Sequence, residues 1–269
     1  MWQHAPMETT TADGVRIHFE VTGSGPPVVL VHGITDSSAD WEPLDERLAA
    51  DHTVVRLDLR GHGRSGDAED YSALAMAMDL AAVVAAAGLD RPLVVGHSLG
   101  AVVATAYAAG APTRGVVNID QTLRFSDFAA TVRQLEHQLR GDGFHAALRA
   151  IFQHLDGPLV PDALRFRLVA HRDEARQDVV LGAWDLTFTA TDEELDGVAA
   201  MVAPGITVPY LSLAGNDLGD DYVPWLTSLL PQATVEQWEG HGHYPHLVDP
   251  ERFLVRLADF EAECDAAAT

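Results

Sequence analysis

The chain has 269 residues, 47% of them hydrophobic, which is enough for one sizeable core with a smaller inserted subdomain. Its 40 acidic and 17 basic residues give a formal net charge of −23, and because the charge is spread along the chain, nucleic acid and anionic membranes are unfavourable partners. The sequence shows neither a long uncharged apolar run nor a signal peptide, so we expect a cytoplasmic protein. A single cysteine, Cys264, excludes an internal disulfide and a CxxC site.

The first 120 residues alternate between apolar runs and helical patterns. Strands are predicted in "GVRIHFEVTG", "PPVVLVHG", "TVVRLDL", "RPLVVGHS" and "RGVVNID". Helices are predicted in "DWEPLDERLAAD" and "SALAMAMDLAAVVAAAGL", the second of which stops at Gly88. Because strands and helices alternate and the strands are continuously apolar, we expect an α/β fold with a doubly wound, mostly parallel sheet.

This alternation stops after residue 122. Residues 123–203 carry several helical segments and no comparable apolar strand, and strands return in "TVPYLSLAGND" and "ATVEQWEG" before a closing helix. We therefore divide the chain into a first core segment (1–122), an inserted helical cap (123–203) and a second core segment (204–269).

A serine lies at the junction of one predicted strand and the following helix. The pentapeptide Gly96-His97-Ser98-Leu99-Gly100 matches GxSxG in the context that a nucleophile elbow requires, with a strand before it and a helix after it. The flanking glycines permit the sharp turn, which exposes the hydroxyl at a helix N-terminus where negative charge is favoured. The alternative is a tight turn in which the serine only caps the helix.

Three further segments occur in a recognisable order around this elbow. They are "VVLVHGITDSSADW", which ends its strand in His32-Gly33, then "DLRGHGRSG", and near the end "GHGHYPHLVDPERF". Together with GxSxG, this order resembles the α/β-hydrolase superfamily. The resemblance implies an oxyanion hole built from the backbone N–H groups of Ile34 and Leu99.

The histidine loop contains three candidates for the base that removes the proton of the serine. In register with the superfamily pattern, His243 is selected as the general base, and His241 and His246 are interpreted as loop or pocket residues.

The acidic partner of this histidine stays open between two strand ends. Most superfamily members carry it after the strand that follows the cap, where Asp217 lies one residue early, and Asp220 or Asp221 are substitutes if that loop bulges. Some relatives take the acid from the end of the strand before the cap, where Asp120 is in register. Both positions are kept, because triads are recognised by geometry and not by chain order.

These residues predict a serine hydrolase that cleaves a carboxylic ester, lactone or thioester through an acyl-enzyme. The substrate is expected to be a small, hydrophobic molecule, and the protein a monomer or homodimer. We predict no cofactor and no metal, because HExxH and Cys/His spacings are absent from the sequence. The residues expected to border the substrate are His32, Gly33, Gln121, Leu123 and Trp184.

Three other functions use the same residues. One is hydrolysis of a carbon–carbon bond, and another is cofactor-independent dioxygenation, which gains support if Asp120 is the acid. The third is a non-catalytic ligand-binding module, because a fold alone does not guarantee activity.

Overall fold

One eight-stranded sheet forms the centre of the computed structural model, which describes residues 5–268. The first four residues of the predicted first core segment and the last residue of the second lie outside the described residues. The strands are β1 (Ala5–Thr10), β2 (Arg16–Gly23), β3 (Pro27–Val31), β4 (Thr53–Leu57), β5 (Leu93–His97), β6 (Gly115–Ile119), β7 (Tyr210–Ala214) and β8 (Ala233–Gln237).

The strand order across the sheet is β1-β2-β4-β3-β5-β6-β7-β8. β1 pairs antiparallel with β2 and β2 antiparallel with β4, whereas all pairings from β4 to β8 are parallel. The predicted doubly wound, mostly parallel sheet is therefore confirmed. All seven predicted strands are present, and β1, which the sequence analysis did not predict, extends the antiparallel edge.

The helices follow the strands in chain order. They are α1 (Glu42–Leu48), α2 (Ala73–Ala86), α3 (Leu99–Gly110), α4 (Phe125–Gln134), α5 (Glu136–Leu139), α6 (Phe144–Leu155), α7 (Asp162–Glu174), α8 (Gln177–Ala183), α9 (Asp185–Thr189), α10 (Asp192–Val202), α11 (Tyr222–Leu229), α12 (Pro245–Val248) and α13 (Pro250–Ala267). Short 3-10 turns cover Ser38–Trp41 and Ala203–Gly205. No helix in residues 5–268 has both the length and the apolar character that crossing a bilayer requires.

Both faces of the parallel strands are packed, which explains their continuous apolar sequences. Along β3, Val29 and Val31 belong to one hydrophobic cluster, whereas Val28 and Leu30 belong to another. Because side chains alternate between the faces of a strand, these two clusters cover opposite faces of the sheet. Residues of α2 and α3 join the first cluster, and residues of α1 and α13 join the second.

The parallel strands also bring the ends of distant segments to one edge of the sheet. The loops after β3, β5, β6, β7 and β8 all leave from the carboxyl edge, where open α/β sheets place their ligand sites. The segment between β6 and β7 contains α4 to α10, and its helices α6 and α7 contact residues of these loops. We interpret that segment as a cap.

Candidate active site

The turn between β5 and α3 holds Ser98 in an uncommon backbone conformation. Ser98 has φ 52° and ψ −121°, a region that a residue with a Cβ rarely occupies, and strain of this kind concentrates at functional sites. A Cβ on Gly96 would lie 2.2 Å from the Gly100 carbonyl oxygen, and one on Gly100 would lie 2.2 Å from the Val31 oxygen. The two glycines therefore let α3 start directly against β3, as GxSxG predicts.

A histidine and an aspartate form a buried pair beside this turn. His243 Nδ1 lies 2.6 Å from Asp120 Oδ2, and both side chains are less than a tenth exposed. Because a carboxylate only accepts, Nδ1 carries the proton and Nε2 is left as the basic nitrogen of the imidazole.

Backbone donors hold the carboxylate of Asp120 in place. Its Oδ1 accepts the N–H groups of Gly215 (2.6 Å) and Asn216 (3.3 Å), and the Asn216 side-chain amide donates to Oδ2 at 3.2 Å. Burial by itself raises the pKa of this carboxyl, but the hydrogen bond and charge of His243 and the Gly215 N–H outweigh it and place the pKa below its ordinary value. Asp120 is therefore an anion at neutral pH.

The other carboxylates left open by the sequence do not take this position. Asp217 is exposed and accepts the N–H of Gly219 at 2.9 Å, and within the described residues no hydrogen bond or ion pair joins it to His243. Asp221 is exposed and pairs with Arg124 at 2.9 Å. The loop after β7 therefore supplies backbone donors to Asp120, and of the positions that the sequence left open, Asp120 is the one that contacts His243.

Backbone contacts connect the serine turn to this pair. The Ser98 N–H donates to the carbonyl of Ile119, the residue immediately before Asp120, at 3.0 Å. The ring of His97, the residue before Ser98, lies 4.7 Å from the ring of His243. Three segments far apart in sequence, at residues 98, 120 and 243, are thus neighbours at the carboxyl edge of the sheet.

The predicted oxyanion donors lie at the ends of the two adjoining turns. Leu99 is the first residue of α3, and Ile34 follows β3, and both residues are buried. A helix N-terminus leaves its first N–H groups without intrahelical partners, which suits the Leu99 amide to an anionic oxygen. Ile34 and Leu99 stay predicted oxyanion donors.

His32, expected to border the substrate, has a different place. Its Nδ1–H donates to the Gly33 carbonyl at 2.7 Å, and its Nε2 accepts the Leu59 N–H at 3.0 Å. Burial and the neighbouring His62 lower the pKa of His32 to about 4, so that it is neutral at physiological pH. Both ring nitrogens of His32 are hydrogen-bonded and the side chain is buried, so His32 links the loop after β3 to the loop after β4. The structure therefore gives His32 this structural role in place of the predicted contact with the substrate.

The remaining predicted pocket residues are packed to different degrees. Leu123 is buried and its N–H donates to the Tyr222 hydroxyl at 3.0 Å. Gln121 is half-buried, and its amide donates to the Thr122 carbonyl at 2.8 Å. Trp184 is buried, with its ring edge-on to Phe128 at 5.1 Å. These contacts place the three side chains in the packing around the site and define no substrate contact for them.

A cavity of about 340 Å³ opens beside Ile34, between the loops of the sheet and the cap. Its walls come from the loop after β3, the loop after β4, and the helices α7 and α8, and they carry His171, Glu174 and Val180. Gln121, Leu123 and Trp184 are not among its lining residues. The cavity places Ile34 and Asp36 next to a space large enough for a small molecule.

One group of side chains in the described chain has the spacing of metal ligands: Asp36, Asp40 and His171, whose ligand atoms lie within 4.8 Å of one another. His171 Nδ1 is 3.7 Å from Asp36 Oδ1 and 3.6 Å from Asp40 Oδ2, and Arg167 Nε lies 3.6 Å from Asp40 Oδ1. Because Arg167 is a cation and the contact with Asp36 raises the pKa of His171, which favours its charged form, we interpret the group as an ion-pair link between α7 and the loop after β3.

The sequence analysis missed the side chains that support the pair. Asn216 and Asp36 lie in predicted loops and have no motif of their own. His97 lies inside the GxSxG segment, where its position next to the serine was the available signal. All three contact a predicted site segment, which sequence spacing alone does not reveal.

Comparisons with known proteins agree with this architecture. Residues 28–256 match the model of the alpha/beta hydrolase family. A 2-(acetamidomethylene)succinate hydrolase of Mesorhizobium japonicum is 30% identical, over 91% of this chain and 91% of its own length. The esterase YbfF of Escherichia coli is 28% identical, over 85% of this chain and 90% of its own. The crystal structure of the esterase RhEst1 from Rhodococcus sp. ECU1013 superposes with a TM-score of 0.78 at 28% identity, covering 96% of this chain and 98% of its own.

Proposed function

Because the chain belongs to the alpha/beta hydrolase family, we propose that it is a serine hydrolase of carboxylic esters, with lactones and thioesters as related substrates. Ser98 is the nucleophile, His243 the general base and Asp120 its acidic partner. The single observation that carries the proposal is the 2.6 Å contact between His243 Nδ1 and Asp120 Oδ2, at the edge where the Ser98 turn ends.

The reaction follows from the protonation states of these groups. With Nδ1–H donated to Asp120, His243 Nε2 removes the proton of the Ser98 hydroxyl, and the serine oxygen attacks the acyl carbon. The backbone N–H groups of Ile34 and Leu99 stabilise the negative oxygen of the tetrahedral intermediate. His243 then protonates the leaving alcohol, and water, deprotonated by the same nitrogen, releases the acid from Ser98.

The substrate class is supported by the nucleophile and by the relatives. A serine at the elbow forms an acyl ester, whereas the alkyl-ester chemistry of dehalogenases and epoxide hydrolases needs a carboxylate there. RhEst1 and YbfF are esterases by name, and the Mesorhizobium relative is named as a hydrolase. The cavity of about 340 Å³ beside Ile34 has room for a small or medium-sized molecule.

A panel of short p-nitrophenyl esters, lactones and thioesters tests this function. The wild-type protein should hydrolyse at least one ester, and Ser98→Ala should reduce kcat by several orders of magnitude while the protein remains folded. A Ser98→Ala variant that hydrolyses the ester with wild-type kcat would contradict an acyl-enzyme on Ser98.

Cofactor-independent dioxygenation is a second candidate because Asp120, and not Asp217, is the partner of His243. In that reaction the histidine deprotonates an aromatic substrate, which then reacts with oxygen, and Ser98 only positions it. Oxygen consumption with a hydroxyquinolone-like substrate, in the absence of any ester hydrolysis, would favour this candidate over the hydrolase.

A further inference from the structure

A second aspartate–histidine pair lies behind the serine turn. His97 Nε2 is 2.7 Å from the backbone carbonyl oxygen of His243, and His97 Nδ1 is 3.4 Å from Asp36 Oδ2. Both side chains are 2% exposed. Because a carbonyl oxygen only accepts, the Nε2–H of His97 donates to His243, and the other ring nitrogen faces the carboxylate.

The carboxylate of this pair is an anion. Burial raises the pKa of Asp36, but the nearby imidazoles of His171 and His97 outweigh that effect and hold the pKa well below its ordinary range. The Tyr244 hydroxyl also donates to Asp36 Oδ1, at 3.3 Å. Asp36 is therefore held by groups from three other parts of the chain: the serine turn, the histidine loop and the cap helix α7.

This pair lies against three of the segments that the proposed reaction uses: the serine turn, the oxyanion turn and the histidine loop. His97 precedes the nucleophile in the chain, and Asp36 lies two residues after the oxyanion donor Ile34. A Cβ on Gly33 would lie 2.8 Å from Asp36 Oδ2 and 3.0 Å from His97 Nδ1, so the turn after β3 packs directly on the pair. The carbonyl that His97 binds belongs to His243 itself.

We propose that His97 and Asp36 are positioning residues that fix the backbone of His243, and with it the imidazole, relative to Ser98 and the oxyanion turn. Asp120 holds the His243 ring from its Nδ1 side, and His97 holds the same residue through its carbonyl. Hydrogen bonds at two different atoms of His243, its Nδ1 and its backbone carbonyl, define the direction of the imidazole ring. A hydrogen bond at only one of these atoms leaves the ring free to rotate. The inference rests on the proposed function, since it assigns a role within that reaction.

The size of the effect follows from geometry. A misplacement of about 1 Å in a reacting group costs about 100-fold in rate, and losing the hydrogen-bond partner that orients a metal-ligating histidine, an analogous contact, costs about 10- to 100-fold. Because the hydrogen bond of His97 goes to the backbone carbonyl of His243 and its ring packs beside the His243 ring, its loss should lower kcat and leave KM little changed.

A pair of substitutions separates the hydrogen bond from simple packing. His97→Leu fills the site and removes the donor, whereas His97→Gln places an amide N–H close to the Nε2 position and keeps it. We expect His97→Leu to lower kcat by about 10- to 100-fold and His97→Gln to recover most of that loss. Asp36→Asn, which removes the charge facing His97, should lower kcat in the same sense. The matched control is His137→Leu, the same change at an exposed position, which should leave kcat unchanged.

The low-field proton NMR resonance of His243 Nδ1–H provides a readout that needs no substrate. It is assigned by its loss in His243→Ala, and thermal unfolding checks that each variant is folded. The resonance should be sharp in wild type and His97→Gln, and shifted or broadened in His97→Leu. If no ester is hydrolysed by the wild type, the proposed function fails while this resonance still tests the positioning.

Two results would overturn the inference. One is a folded His97→Leu variant with wild-type kcat and an unchanged resonance. The other is a folded His97→Gln variant as impaired as His97→Leu, because the hydrogen bond to the His243 carbonyl would then not matter. If His97→Leu does not fold, the other two variants decide. A kcat near wild type in His97→Gln together with a lowered kcat in Asp36→Asn supports the pair, and any other combination contradicts it.

Discussion

Individual residues at the carboxyl edge of the sheet are held in unfavourable backbone conformations. The non-glycine residues with positive φ in the described chain are Arg91, Ser98 and Asp120, with φ of 43°, 52° and 49°. Two of the three are the proposed nucleophile and acid, each directly after a parallel strand. Since such conformations cost of order 1–3 kcal/mol and persist where the surroundings impose them, their position supports a functional role for both residues.

Replacing Asp120 by asparagine tests the acid. The amide keeps the shape but no longer fixes the Nδ1–H tautomer of His243, so we expect kcat to fall by about 10⁴-fold. Asp217→Asn is the matched control, the same change at an exposed carboxylate after the neighbouring strand, and should leave kcat near wild type. Equal, small losses in the two variants, measured with the best ester of the panel, would show that neither carboxylate is the partner.

The sequence identifies some of these residues and leaves others open for a physical reason. Ser98 and His243 can be predicted from motifs, because the sequence immediately around each residue is the signal. For Ser98 this is a glycine-flanked turn, and for His243 it is a loop near the end of the chain. Asp120 and Asp217 follow adjacent parallel strands, so that chain order permits either to reach the histidine. The choice depends on the Gly215 and Asn216 N–H groups, which point at Asp120, and that backbone orientation is a tertiary feature.

At the scale of elements, the close approach of α3 to β3 sets the position of the serine turn. Gly100→Ala would place a Cβ 2.2 Å from the Val31 carbonyl oxygen and force α3 away from the strand. We expect a loss of about 1–3 kcal/mol in the free energy of unfolding, together with a lower kcat because Leu99 N–H and Ser98 move.

Gly110→Ala in the same helix is the control for this change. A Cβ there meets no atom within 4 Å, so the variant should keep wild-type kcat and unfold at an equal or higher denaturant concentration. Urea unfolding and ester turnover measure both quantities. A Gly100→Ala variant that behaves like Gly110→Ala would contradict the close-packed elbow.

The elements were predicted best where apolar patterning is strongest. The parallel strands are read from continuous Val/Leu runs because both of their faces are buried, whereas β1 lies at the sheet edge and its sequence, APMETT, lacks that pattern. In the predicted helical region after β6, α4 and α5 are separated at Leu135, which has φ −105° and ψ 7°. The boundaries of the cap at 123 and 203 stay an interpretation.

For the whole molecule, burial of neutral histidines makes stability depend on pH. His32 has a folded pKa of about 4 against about 6.5 in an unfolded chain, so between these values only the unfolded state binds its proton. The stabilisation from His32 is therefore present above pH 6.5 and is lost as the pH falls toward 4, at a limit of about 1.4 kcal/mol per pH unit. Burial also lowers the pKa of His62, which acts in the same direction.

Other groups oppose this trend, so a difference between variants isolates it. Burial and the nearby Asp36 raise the pKa of Asp40 to about 6, which stabilises the folded state toward low pH over part of the same window. The variant His32→Gln keeps an acceptor for the Leu59 N–H and does not titrate. Urea unfolding from pH 4 to 7.5 should show a wild-type advantage in unfolding free energy that shrinks as the pH falls. A difference in unfolding free energy that stays constant across this pH range would contradict the conclusion that His32 is neutral and links the two loops.

The central claim is that Ser98 is a nucleophile activated by the His243–Asp120 pair, and covalent labelling tests it most directly. The account predicts that a fluorophosphonate adds once per chain, that peptide mapping by mass spectrometry finds the adduct on Ser98, and that Ser98→Ala takes up no label. Labelling should be far slower in His243→Ala, because the hydroxyl then has no base. A folded wild-type protein that stays unlabelled, or an adduct on another residue with Ser98 unmodified, would contradict the account.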